Sequence, residues 1–264
     1  MLSKRAGATV LVTLTALIAL IATLAPRVVQ PLSYHHFADF RTAFGIANVG
    51  NVLSNLPFAI FGAWGLYFLS QSESSKAFLD PRERWPYITL FIGILLTAFG
   101  SGYYHLMPDN SRLVWDRLPM TIAFMSLVSA MIAERLDVTV GVRLLLPLLF
   151  VGILSVIQWH FSEVQGHGDL RFYAAVQLYA IAVLLLLPLL PPRYTRTSDL
   201  VWLGAFYLLA KALEATDRSI FSLDYVVSGH TLKHLAAGMS GFFLLRMLQN
   251  REPISMHPRT SHAA

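Results

Sequence analysis

The chain has no cysteine among its 264 residues. That excludes disulfides and thiolate metal sites alike, so any transition-metal site must be built from histidine and carboxylate. Charge is scarce too: Asp, Glu, Lys and Arg make up 13% of the chain against 55% hydrophobic residues, and the mean hydropathy is +0.56. A soluble domain of this length carries roughly twice that share of charge, so the solvent is mostly lipid. The net charge of +5 does not point to nucleic acid, because the Lys and Arg are scattered over short loops rather than gathered on one face. Strand-like alternation is absent, and so is the repeat between the halves that a transporter with broken helices and an inverted repeat would show.

What is present is a succession of apolar runs. A membrane span needs roughly 20 mostly apolar residues. Candidate spans cover residues 8–24, 46–69, 87–105, 113–133, 144–159, 172–190, 200–214 and 230–248. They predict an all-α polytopic membrane bundle with a seven-span core and one extra N-terminal span. The first run follows Lys4 and Arg5 and ends in Ala22-Thr23-Leu24-Ala25, like a signal peptide, but Pro26 directly after Ala25 argues against cleavage. The expected organisation is a signal-anchor over 1–30, the core over 31–250 and a disordered tail over 251–264. His257 and His262 in that tail are expected to be solvated. Lys and Arg favour the span ends on the N-terminal side about two to one, which predicts cytoplasmic termini. The lack of cysteine and the compact loops fit a bacterial inner membrane.

Polar residues inside such a bundle are costly and by default mark function. His230 and His234 are four apart at the start of the last run, on one helical face, as in motifs that give zinc two imidazoles. His105 ends a span that runs outward, and Asp116 begins the next, which runs inward. Span order alone therefore places His105, Asp116, His230 and His234 at one level, on the non-cytoplasmic side. Three imidazoles leave a tetrahedral zinc one open position, the mark of a catalytic site. Zinc lowers the pKa of bound water from about 15.7 to about 7. Asp116 could accept the water proton or orient a ligand imidazole. Ser101, one turn before His105, could donate to a developing oxyanion, or Gly100-Ser101-Gly102 could be a helix-packing contact.

Other polar residues have blander readings. Asn48, Asn51, Ser54 and Asn55 read as helix-to-helix glue. Lys211 and Glu214 neutralise each other across one turn. Asp217 could support the ligand histidines from behind. His160, Glu163, His167 and Asp169 read as a polar loop rather than a second metal site, and His35, His36 and Asp39 as interfacial.

These motifs resemble a known family. Gly100-Ser101-x-x-x-His105, then Leu113-x-x-Asp116-x-Leu118-Pro119-Met120, then His230-x-x-x-His234-x-x-x-Gly238 are similar to the alkaline ceramidases. These belong to a superfamily of seven-span membrane hydrolases that includes the adiponectin-receptor-like proteins. Asn51-Val-Leu-Ser54-Asn55 and Asp217-Arg-Ser-Ile-Phe221 also resemble ceramidase segments. The resemblance implies His105, His230 and His234 as ligands of Zn2+, Asp116 as the base acting on the zinc-bound water and Ser101 as an oxyanion helper. It implies hydrolysis of a ceramide amide to a sphingoid base and a fatty acid, with a lipid substrate and no nucleic acid, and nothing indicates a protein partner. Two departures stand out: the extra first span, and a single carboxylate, Asp39, where some members bind calcium through an acidic segment. Calcium prefers roughly six to eight oxygens, so no calcium site is expected. The rival readings are a hydrolase of another lipid ester or amide and a non-enzymatic zinc-containing membrane receptor.

Overall fold

The computed structural model describes residues 3–254, and among them it is helical, with only isolated bridges of extended pairing. The chain runs through α1 (Lys4–Leu24), α2 (Val49–Leu53), α3 (Leu56–Ser70), α4 (Arg84–Leu106), α5 (Asn110–Arg135), α6 (Val138–Val164), α7 (Arg171–Leu186), α8 (Ser198–Ala215), α9 (Asp217–Asp224) and α10 (Gly229–Asn250). Short polar side chains set several starts. Asp109 accepts from Arg112 N at 2.7 Å ahead of α5, Asp137 from Val140 N at 2.9 Å ahead of α6, and Ser228 from Thr231 N at 3.1 Å ahead of α10. Each satisfies an amide that has no partner within its helix.

Six segments are long and apolar enough to cross a membrane: Lys4–Leu24, Val49–Ser70, Pro81–Leu106, Asn110–Arg135, Val138–Val164 and Arg171–Leu189. The protein is thus an integral membrane protein. The seventh and eighth expected spans exist as helices α8 and α10, but they are more polar. α8 carries Asp199, Lys211 and Glu214, and α10 carries His230, Lys233, His234 and Arg246. The span expected over 46–69 is one crossing made of two helices, α2 and α3. Pro57 has no amide to offer the carbonyl of Leu53, and Ser54 and Asn55 turn their side chains back onto Asn51 O at 3.1 and 2.8 Å.

Helices α3, α4, α5 and α6 pack each on the next, α10 lies across α3 and α8, and α1 rests on α7. Successive α7 and α8 are not among the closely packed helix pairs of the described residues. Two glycines bring the site's helices together. A Cβ at Gly100 of α4 would lie 2.0 Å from Trp115 O of α5, and one at Gly229 would lie 2.3 Å from Leu213 O of α8. The second sets α10 directly against the end of α8.

At the opposite end of the bundle a polar cluster closes the fold. Arg251 is buried, pairs with Glu134 and donates to Ala77 O at 2.8 Å. Its guanidinium lies over the Tyr194 ring, 4.2 Å from the centroid. Beyond it Thr195 N donates to Glu252 O and Ile254 N to Arg193 O, both at 2.9 Å. The start of the expected tail is therefore packed. Its remainder, with His257 and His262, lies outside the described residues.

Candidate metal centre

His105 sits in the last turn of α4, and His230 and His234 in the first two turns of α10. Their exposures are 1%, 5% and 4%. Each offers a nitrogen to a group whose members all lie within 4.8 Å of one another. The rings meet edge-on, with centroids 4.8–4.9 Å apart in all three pairs. His230 Nε2 and His105 Nε2 are 3.4 Å apart. Two nitrogens each about 2.0–2.1 Å from a tetrahedral zinc are separated by roughly 3.3–3.4 Å. The donor set therefore fits zinc in spacing and in chemistry.

Each histidine is held from outside the cluster. Ser54 Oγ lies 2.8 Å from His234 Nδ1. Asp217 Oδ1 accepts from His230 N at 2.7 Å, and Asn48 Nδ2 donates to His105 O at 2.8 Å. Asp217 thus supports His230 through its backbone rather than its ring. Thr231 Oγ1 donates to Asn51 Oδ1 at 3.1 Å, tying α10 to α2. His105 Nδ1 is buried without a hydrogen-bond partner. Its ring is fixed by packing instead, with Phe37 4.7 Å and Tyr104 4.8 Å away between centroids. Phe37 also lies 4.3 Å from the His230 ring. It lines an open cavity of ≈ 450 Å³ with His35, His36, Phe40, Asn48 and Arg218, and so stands between that cavity and the imidazoles.

Asp116 begins the second turn of α5 and is 7% exposed, and Ser101 on α4 is 2% exposed. Gly100 of the same segment makes the close helix contact with Trp115. No carboxylate, Asp116 included, joins the histidine group among the described residues. Lys233, on the turn between His230 and His234, pairs with Glu214 at 2.6 Å. Glu214 is also paired with Lys211, so one carboxylate answers two ammonium groups next to the cluster.

The other polar residues serve structure. Glu163 accepts from Trp159 Nε1 at 3.1 Å, Asn110 Nδ2 at 3.2 Å and Gln30 N at 3.3 Å. Asp169 pairs with Arg171 at 2.7 Å. His35 bridges Tyr104 and Asn110. Asp39 is 1% exposed and held by Arg41 through Nε and Nη2, both at 2.7 Å. That guanidinium holds the Asp39 carboxyl below its ordinary value, and it also donates to Tyr225 O at 2.8 Å and Val226 O at 2.5 Å. Phe37 and Tyr104 pack on the cluster without having been singled out from the sequence, and Ser54, read there as helix glue, meets the His234 ring.

A search of curated proteins finds no match to the chain. The Ceramidase family model matches residues 38–210, more than half of the chain, taking in Ser101, His105 and Asp116 and ending before α10. On that match the chain belongs to the ceramidase family.

Proposed function

We propose that the protein is a zinc-dependent membrane hydrolase that cleaves the amide bond of ceramide or a related N-acyl lipid, releasing a sphingoid base or other amine and a fatty acid. The observation that carries this reading is the buried group of three imidazoles, with its 3.4 Å Nε2–Nε2 separation, in a chain of the ceramidase family. His105, His230 and His234 would hold the zinc, as in catalytic sites with three histidine ligands. When bound, the ion polarises a carbonyl and makes water acidic enough to attack near neutral pH.

The chain's own groups do the rest. Asp116 accepts a proton from the attacking water as the new C–O bond forms. It then delivers that proton to the nitrogen as the C–N bond breaks, so the amine leaves neutral. Ser101 donates its hydroxyl proton in a hydrogen bond to the carbonyl oxygen as negative charge develops there. Burial of both groups keeps these interactions strong by excluding competing water. The absence of close packing between α7 and α8 among the described residues supports entry of an acyl chain from the lipid. The core over 31–250, the anchor over 1–30, cytoplasmic termini and a site on the non-cytoplasmic side of a bacterial inner membrane complete the reading.

One observation favours a second substrate class. Lys211 and Lys233 share the carboxylate of Glu214, and two ammonium groups there suit an acyl amide with an anionic head, such as an N-acyl amino acid. A panel of ceramides and N-acyl amino acids, incubated with detergent-purified protein, separates the two. Release of fatty acid from ceramides alone supports the first class, and release from the anionic amides alone supports the second. Release from neither, with zinc bound, favours a receptor.

A further inference from the structure

We infer that Ser54 is the positioning residue that fixes the tautomer of His234 and so presents Nε2 to the metal. This rests on the zinc reading of the histidine cluster. Ser54 Oγ has two partners, Asn51 O at 3.1 Å and His234 Nδ1 at 2.8 Å. Both contacts are hydrogen bonds only when the single hydroxyl proton of Ser54 goes to Asn51 O, since a carbonyl oxygen accepts and cannot donate. The hydroxyl oxygen is then the acceptor for Nδ1–H of His234. With its proton on Nδ1, the neutral ring carries a lone pair on Nε2, the nitrogen left for the shared centre.

The arrangement is built by the kink between α2 and α3. Ser54 is 5% exposed and lies where the Asn51 carbonyl is taken up by the side chains of Ser54 and Asn55. Asn55 Nδ2 donates to the same Asn51 oxygen at 2.8 Å, so that acceptor stays satisfied without the Ser54 hydroxyl. The Ser54 oxygen, 2.8 Å away, is the side-chain acceptor for His234 Nδ1. His105 has no equivalent, since its Nδ1 is without a partner.

The test measures zinc affinity of the purified protein by competition with a chromophoric chelator. Loss of a group that orients a metal-binding imidazole weakens binding by roughly ten- to hundredfold. Ser54→Ala is expected to show that loss, and Ser54→Thr, which keeps the hydroxyl, is expected to restore the wild-type constant. A merely structural role would lower the stability of the metal-free and zinc-loaded forms equally and leave the affinity unchanged, which would overturn the inference. Histidine 15N spectra of the zinc-loaded wild type need no variant of Ser54. The His234 resonance, assigned through backbone correlations, is expected to be the Nδ1–H form, and a proton on Nε2 would overturn the assignment. Wild-type protein that binds no zinc would instead sink the zinc reading itself.

Discussion

Asp217 Oδ1 accepts a hydrogen bond from His230 N at 2.7 Å, while its other oxygen accepts from Ala38 N at 2.8 Å. One carboxylate thus ties the start of α10 to the segment that carries Phe37, and both partners are amides with no helical acceptor. Asp217→Ala is expected to lower unfolding stability by about 1–3 kcal/mol, the cost of an amide left unpaired away from water. Asp217→Asn must turn its NH2 group toward one of the two N–H donors and should recover only part of the loss. Equal unfolding of all three proteins in detergent would show that the tie contributes nothing.

Asp116 is the proton carrier of the proposed reaction, and no carboxylate shares the histidine group. Asp116→Asn should therefore retain zinc at wild-type stoichiometry and lose turnover by about a hundredfold or more. Metal analysis and rate measurement on the same preparation check this. Normal turnover would remove Asp116 from the mechanism, and loss of zinc would make it a ligand.

Much of this site was legible before any coordinates. Alternate crossing of the bilayer obliges the end of α4 and the starts of α5 and α10 to share one side, so His105, Asp116, His230 and His234 were grouped by order alone. Ser54 was not legible as a ring partner. A hydroxyl in a span reads as helix glue until the fold lays α3 beside α10. Phe37 lies in an aperiodic segment that offers no pattern to read. The break between α2 and α3 did have a signal, Pro57, but the continuous apolar run around it masked the kink. Short α9 was hidden for the opposite reason, being too polar to register as part of a span.

Asp39 and Arg41 make a prediction about pH. The Asp39 carboxyl titrates below its ordinary value of 3.8 because Arg41 grips both of its oxygens. A carboxyl with a lowered folded-state pKa stabilises the fold fully above the unfolded value and loses that contribution as pH falls through the folded one. Asp39→Asn should be less stable than wild type near neutral pH and converge with it in acid below the ordinary carboxylate range. Parallel curves over the whole range would contradict the sign. Since Arg41 already engages this carboxylate, activity should not change when calcium is removed with EGTA.

Arg251 and Glu134 form an ion pair in which the side chains are 0% and 4% exposed. Removing one partner of such a pair leaves a buried charge and costs about 3–5 kcal/mol. Arg251→Met is expected to destabilise by that order, and adding Glu134→Gln should recover part of it, as read by unfolding in detergent. A single variant as stable as the double would show that the charges are not coupled.

The most direct test of the central claim is fatty-acid release from an N-acyl lipid panel by purified protein of known zinc content, with His234→Ala as the blank. The claim predicts release that tracks zinc occupancy in the wild type and is absent, together with the metal, from the variant. Release that persists in zinc-free His234→Ala protein would contradict it.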